Sequence, residues 1–299
     1  MKRNTEAKGF FLAFLNIITY GLYPVFTHYF VYYIDPLILV SSTFLVASIP
    51  LLLNLSFHHK IQEIYHPKFL KPFLIIAFFM AFGHLLFFLG TKLTSGINSG
   101  LLLQLEPFYA IILGTLFLSE KIKRNQLLAT IMMVSGALVV TYKGIGNFNL
   151  GDTLVILAPV FFQIANMAVK KTLARADFIT LTAATLFYSG IFLTILVMVF
   201  NPLLLYQLAS FRNLVIIFGF GLTIRFLEFA TWYKALEYID LSKASALIPF
   251  AVVISFTGSL LILKERPTVQ QYLGLFTILG GLLWFTASQF LKSNKMQKL

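Results

Sequence analysis

The chain has 299 residues, 59% of them hydrophobic and only 11% charged, with a mean hydropathy of +0.86, which excludes a soluble globular domain and defines an integral membrane protein. Twenty-three Lys and Arg against eleven Asp and Glu give a net charge of +12. The basic residues sit in short loops between apolar runs, so they read as topology signals and not as a nucleic-acid-binding face. Cysteine is absent, which excludes disulfides, thiolate metal sites and cysteine nucleophiles together.

The first apolar run opens at Gly9 behind Lys2, Arg3 and Lys8 and continues for more than twenty residues without a small-residue cleavage site. That is too long for a signal-peptide core, so it is predicted to be the first crossing. Ten windows of 17 to 24 apolar residues follow one another, at 9–31, 36–55, 72–91, 97–118, 126–142, 153–170, 178–200, 213–233, 244–263 and 270–291. Each is close to the ~20 residues that cross a ~30 Å hydrocarbon core. The runs are continuous and far longer than a barrel strand, so the fold class expected is all-α membrane with ten transmembrane helices.

Between the second and third windows lie His58, His59, Glu63 and His66, the one metal-like group of side chains. They share a loop with Lys60 and Lys68, which argues for a solvated segment over a metal site. The fourth window carries Glu106 followed by Pro107 near its middle and Glu120 at its end. A charged side chain at that depth costs about 2.5 to 3.5 kcal/mol on insertion scales, so such an acid is expected to face a pathway or a partner inside the bundle. Pro107 has no N–H to donate, which frees a carbonyl one turn earlier for water, a neighbouring helix or a ligand.

Counting Lys and Arg by loop, with the N-terminus inside, gives seventeen on the cytoplasmic side and five on the other, with Arg225 left inside a window. That asymmetry predicts both termini cytoplasmic, and the membrane expected is the plasma (cell inner) membrane. Shifting the chain by 145 residues lays 90–121 on 235–266 without a gap, and Glu120 meets Glu265, Gln126 meets Gln271 and Gly136 meets Gly281. Gly9 to His28 lies over Gly151 to Lys170 at a shift of 142. Each half (1–146 and 147–299) therefore holds five windows. Because five is odd, the second half is expected to enter the membrane inverted, an architecture of secondary transporters.

Three stretches carry a family likeness: GDTLVILAPVFFQIANMAVKK at 151–171, ALEYIDLSKASA at 235–246 and PFYAIILGTLFLSEK at 107–121. They resemble the EamA domain, present twice, and the chain resembles the ten-helix drug/metabolite transporter (DMT) superfamily over nearly its whole length. The resemblance implies a five-plus-five inverted repeat, cytoplasmic termini and carriage of amino acids, other metabolites or drugs, mostly outward. Two departures stand out. The second copy has Pro249 one turn before the expected position, which Val252 occupies, and the first window has Tyr20-Gly21 where Trp-Gly is common and His28 at the usual basic position.

Several side chains are candidates for substrate binding. Glu106, buried among Phe and Leu, is suited to take up and release a proton in a proton-coupled carrier, against the alternative of a structural acid. Arg225 and Glu228, three apart, share a helix face and can pair. Arg225 could then meet a substrate carboxylate, with Glu228 or Glu106 as its counter-ion in the empty carrier, or the pair could simply clamp two helices. His84 falls beside Glu228 in the repeat register and would line the same midplane cavity, unless it is a hydrogen-bonded packing residue. Gln104, Gln163 and Asn166 could bind polar solute groups or bond between helices. Trp232 and Tyr188 are the aromatic side chains expected to line the cavity.

No Walker A, HExxH or Gly-x-Ser-x-Gly pattern occurs, so no nucleotide-driven pump, enzyme activity, cofactor or metal is called for. The reading is a secondary transporter of a small organic solute such as an amino acid or related metabolite, working by alternating access in a lipid bilayer, with protons as a candidate partner. Its alternative is a membrane-embedded enzyme or lipid-linked flippase, expected to open laterally to lipid.

Overall fold

A computed structural model describes residues 2–118, 124–142, 149–173, 175–236, 238 and 247–296, and among them all regular structure is helical. The α-helices are α1 (Lys2–Phe30), α2 (Pro36–Phe57), α3 (Pro67–Leu93), α4 (Gly96–Leu103), α5 (Glu106–Leu118), α6 (Arg124–Thr141), α7 (Leu150–Leu173), α8 (Phe178–Phe200), α9 (Phe211–Phe220), α10 (Phe226–Leu236), α11 (Ile248–Leu261) and α12 (Val269–Met296). Short 3₁₀ turns cover Ile61–Tyr65 and Pro202–Ala209, and a π-helical turn, Gly221–Arg225, joins α9 to α10. Helix starts follow local chemistry. Asp35 accepts from Leu37 N and Asp177 from Ile179 N and Thr180 N, satisfying donors that a first helical turn leaves open.

Nine helical segments among the described residues are long and apolar enough to cross a membrane. The expected ninth crossing, 244–263, differs: it is α11, 14 residues long, about 21 Å at 1.5 Å per residue and short of the ~30 Å core. Pro249 sits in the first turn of α11, where its missing N–H costs nothing; residues 244–246 lie outside the described residues.

The fourth crossing is two helices. α4 ends at Leu103, four residues before Pro107, and Glu106 opens α5. A proline ring clashes with the carbonyl four residues before it, so α4 cannot continue. The gap is bridged by tighter bonds, Gln104 N to Leu101 O at 3.3 Å and Leu105 N to Leu102 O at 3.2 Å.

The largest interfaces pair α3 with α7, α6 with α12 and α2 with α8, followed by α3 with α8, α1 with α10 and α1 with α11. Glycines set the closest of them. A Cβ on Gly151 would lie 2.7 Å from Gly90 O and 2.6 Å from Leu93 C, so α3 and α7 touch backbone to backbone. Gly151→Ala is accordingly expected to cost about 1 to 3 kcal/mol of stability, through forced separation of the helices, read as a lower thermal unfolding midpoint of the purified protein. On α6 and α12 the contacts are reciprocal: Gly136 rests on Ile278 and Gly281 on Met133, and both pairs of equivalent residues, 136 with 281 and 133 with 278, are 145 apart.

Loop contacts fall into two groups at opposite ends of the helices. At one end Asp35 N donates to Gln207 Oε1 at 2.9 Å and Arg212 covers the Tyr33 ring at 5.2 Å. At the other Thr180 Oγ1 donates to Glu63 Oε2 at 2.9 Å and Lys234 covers the Phe178 ring at 5.4 Å.

Candidate functional site

Glu106 sits at the break of the fourth crossing, half-buried, at the N-terminal end of α5. Its Oε1 accepts from Tyr20 OH on α1 at 2.8 Å, and its Oε2 accepts from Gln163 Nε2 on α7 at 3.2 Å. One acid therefore ties α1 and α5 to α7. The N-terminus of α5 carries the positive end of a helix dipole, about half a charge, which favours an acid there. Gln104 caps α4 on the other side of the break; it is 2% exposed, and its Nε2 reaches back to Gly100 O at 3.5 Å.

The second cluster is built on the π turn. Arg225 is 0% exposed. Its Nη1 lies 3.6 Å from Glu228 Oε2, and its Nη2 donates to Tyr23 OH at 3.4 Å. The guanidinium stands 4.6 Å from the Phe44 ring centre, 4.7 Å from Tyr23 and 5.7 Å from Phe88, distances at which aromatic faces attract a cation. Glu228 keeps 15% of its side-chain surface, and its backbone carbonyl accepts from Asn16 Nδ2 at 2.7 Å. A π turn offsets the helix by one residue and is a recurrent feature of functional sites; here Arg225 is its last residue.

His84 shares aromatic neighbours with Arg225 but makes no direct bond to Glu228. Its Nδ1 pairs with Met80 O at 2.9 Å, so Nδ1 is the donor, and its ring is enclosed by Phe162 at 4.5 Å and Phe44 at 4.9 Å. It is 4% exposed. Asn166 lies one turn along α7 from Gln163 and is exposed. For two other predicted side chains the contacts are different. Trp232 packs against Ala13 and Ala235, and Tyr188 OH donates to Ile64 O at 3.0 Å, which anchors the turn before α3. Of the loop histidines, His58 Nδ1 pairs with Asn54 O, His66 accepts from Lys68 N and Glu63 turns to Thr180. No group of three or more His, Asp or Glu poised for a metal ion occurs among the described residues.

Sequence reasoning passed over Tyr20 as a contact of Glu106, and it passed over a polar network at one end of the bundle. Asp152 accepts from Thr94 Oγ1 and from Asn98 Nδ2, the latter at 2.9 Å, and Gln271 Nε2 donates to Asn98 Oδ1 at 2.7 Å. Glu265 accepts from Gly96 N at 2.7 Å and Ile97 N at 2.9 Å, and His28 Nε2 lies 3.5 Å away. Glu265 was legible as a repeat marker; its work as the cap of α4 depends on a contact 169 residues away in sequence. Glu120, its counterpart, lies outside the described residues. Glu265→Ala is expected to strip two buried donors of their acceptor and to destabilise by about 1 to 3 kcal/mol, measurable as a reduced unfolding midpoint in detergent.

Helices of membrane length, a crossing broken at a mid-depth acid and a buried ion pair on a π turn define a polytopic helical protein with a polar centre, the layout of a multi-pass transporter. The chain belongs to the EamA-like transporter family, whose model matches it twice, over residues 7–142 and 149–287. An uncharacterized transporter of Archaeoglobus fulgidus is 24% identical over 277 residues, covering 92% of this chain and 97% of that protein. The uncharacterized transporter YoaV of Bacillus subtilis is 23% identical over 258 residues, 85% of this chain and 88% of its own. One solved crystal structure superposes with a TM-score of 0.66 over 93% of this chain and 96% of that one at 16% identity, which shows a shared fold.

Proposed function

We propose that this transporter is a secondary carrier that exports a small organic solute, an amino acid or related metabolite, by alternating access and in exchange for protons. The observation that carries the reading is the Glu106 cluster. An acid at the break of a discontinuous crossing is bonded by Tyr20 from its own half of the chain and by Gln163 from the other half. Rocking one half against the other would make or break the Gln163 bond, which couples the occupancy of Glu106 to the side of the membrane that it faces.

The halves are read as inverted repeats of five crossings, 1–146 and 147–299. The interface pattern supports this. Exchanging the halves turns α3 on α7 into α10 on α1, and leaves α2 on α8 and α6 on α12 unchanged. The finer contacts follow suit: Asn16 meets the Glu228 carbonyl, and Ala158, its counterpart at a shift of 142, has its carbonyl 3.1 Å from a Cβ placed on Gly83, the counterpart of Glu228 at a shift of 145. With seventeen basic residues on one side and five on the other, both termini are read as cytoplasmic.

The absence of native cysteine makes orientation directly testable. Single cysteines at Gln62 and Tyr206, exposed positions in corresponding loops, are expected to react with impermeant maleimide from opposite sides of the membrane. Labelling of both from one side overturns the inverted repeat. Proteoliposomes screened against amino acids, nucleoside-type metabolites and cationic drugs, with Glu106→Gln as the control, test carriage itself. Equal fluxes for wild type and variant across the panel would remove Glu106 from the pathway.

A further inference from the structure

The geometry points to a solute recognised as a cation, an alkyl or aryl ammonium whose N–H groups bond to the Glu106 carboxylate, and not to an anion recognised by Arg225. The inference rests on the reading that the Glu106 cluster is the solute site, and by an inventory of charge it narrows the solute from amino acids and related metabolites to the amines among those metabolites.

Among the described residues three groups that can carry a charge lie at mid-depth: Glu106, Glu228 and Arg225. Arg225 has no surface left. Glu228 stands 3.6 Å from one guanidinium nitrogen, Tyr23 OH takes another, and the rings of Tyr23, Phe44 and Phe88 cover the group. A solute carboxylate would have to dismantle that enclosure and displace Glu228 to reach it. His84 offers nothing in its place, because its Nδ1–H is committed to Met80 O and its ring is walled by Phe44 and Phe162.

Glu106 is the opposite case. It is half-buried and accepts one hydrogen bond on each oxygen, both from uncharged donors, Tyr20 and Gln163. Among the described residues no Lys, Arg or His forms an ion pair with it. Among the described residues the positive field at its own helix end is the dipole of α5, a partial charge that does not neutralise a carboxylate. Each carboxylate oxygen has about two lone-pair sites, so one on each oxygen remains open to an incoming N–H. Tyr20 and Gln163 fix the carboxylate so that those open sites keep one orientation.

The repeat makes the charge of the solute single. At a shift of 145 the counterpart of Glu106 is Ala251, and at a shift of 142 Gln163 corresponds to Gly21. Where the first pair is hydrogen-bonded, the second is closed by apolar contact: a Cβ on Gly21 would lie 2.9 Å from Ala251 O and 2.8 Å from Ile254. One pseudo-equivalent position is an acid held by an amide, and the other is sealed. The matching ligand is therefore a monocation with one anchoring end.

The test uses the purified full chain in detergent and near-isosteric probes that differ in charge: phenethylammonium, phenylacetate and 2-phenylethanol, with ethylammonium and butylammonium as smaller cations. Calorimetric titration and the shift of the unfolding midpoint are the readouts. The expected result is binding of one or more ammonium probes, none of phenylacetate, and affinity about ten- to hundredfold lower in Glu106→Gln, whose unfolding midpoint without probe stays at or above that of wild type. Glu106→Asp, which keeps the charge and shortens the reach, is expected to retain preference for the ammonium at reduced affinity.

Phenylacetate binding that is lost in Glu106→Gln would keep the site and overturn the charge class. Ammonium binding of equal strength in wild type and Glu106→Gln would overturn both the proposal and the placement of the solute at Glu106. Absence of any response to all three ammonium probes at millimolar concentration would overturn the proposal alone, with the flux comparison above deciding the site.

Discussion

Arg225→Met is expected to destabilise the protein by about 3 to 5 kcal/mol, since removing one partner of a buried ion pair leaves the other uncompensated. The charge left behind is Glu228, whose Oε2 is buried and has no hydrogen-bond donor. The double variant Arg225→Met with Glu228→Gln is expected to recover most of that loss. The methionine fills the box of Tyr23, Phe44 and Phe88 with an apolar, polarizable side chain, and the glutamine carries no charge to strand. Unfolding midpoints of the four proteins of this cycle measure the coupling. A double variant no more stable than Arg225→Met would mean that the arginine acts through its aromatic contacts and not through Glu228.

Transport by Glu106→Gln is expected to fall to the level of empty liposomes for any solute that the wild type carries, while folding is retained. Glutamine has the same shape, can still accept from Tyr20 OH and faces Gln163 with an amide, so the helices remain tied. What disappears is, among the described residues, the mid-depth acid that no basic side chain pairs, and with it the group proposed to take up and release a proton. Flux measured with and without an imposed pH gradient separates the two roles. Residual flux that no longer responds to the gradient would assign Glu106 to coupling alone, and full flux with an unchanged pH response would exclude it from both.

Glu106 and Pro107 could be found in the sequence because each breaks a rule of the lipid environment by itself: an acid needs a polar partner, and a proline stops the helix four residues before it. Arg225 and Glu228 could be paired because three residues on a helix fix their relation. Tyr20 could not be assigned to Glu106. The contact spans 86 residues, and although Tyr20 stands out as a departure from the Trp-Gly pattern, nothing local says which side chain it meets. For the same reason the packing of Trp232 against Ala13 and Ala235 and the bond of Tyr188 to the Ile64 carbonyl could not be read from the sequence. The enclosure of Arg225 was equally hidden, being assembled from α1, α2 and α3.

By itself the sequence determined that this is a helical membrane protein, roughly where its chain crosses the bilayer, and which crossing carries an acid and a proline near its middle. Those properties are set by hydropathy, length and backbone chemistry, all local in the chain. The tertiary structure alone decided which polar groups meet. Helices that are apolar on all sides have no stripe to dictate their rotation, so register is set by where glycines allow backbones to touch, as Gly90 on Gly151 and Gly136 on Ile278 do. That register is what turns Gln163 toward Glu106 and closes the aromatic rings around Arg225.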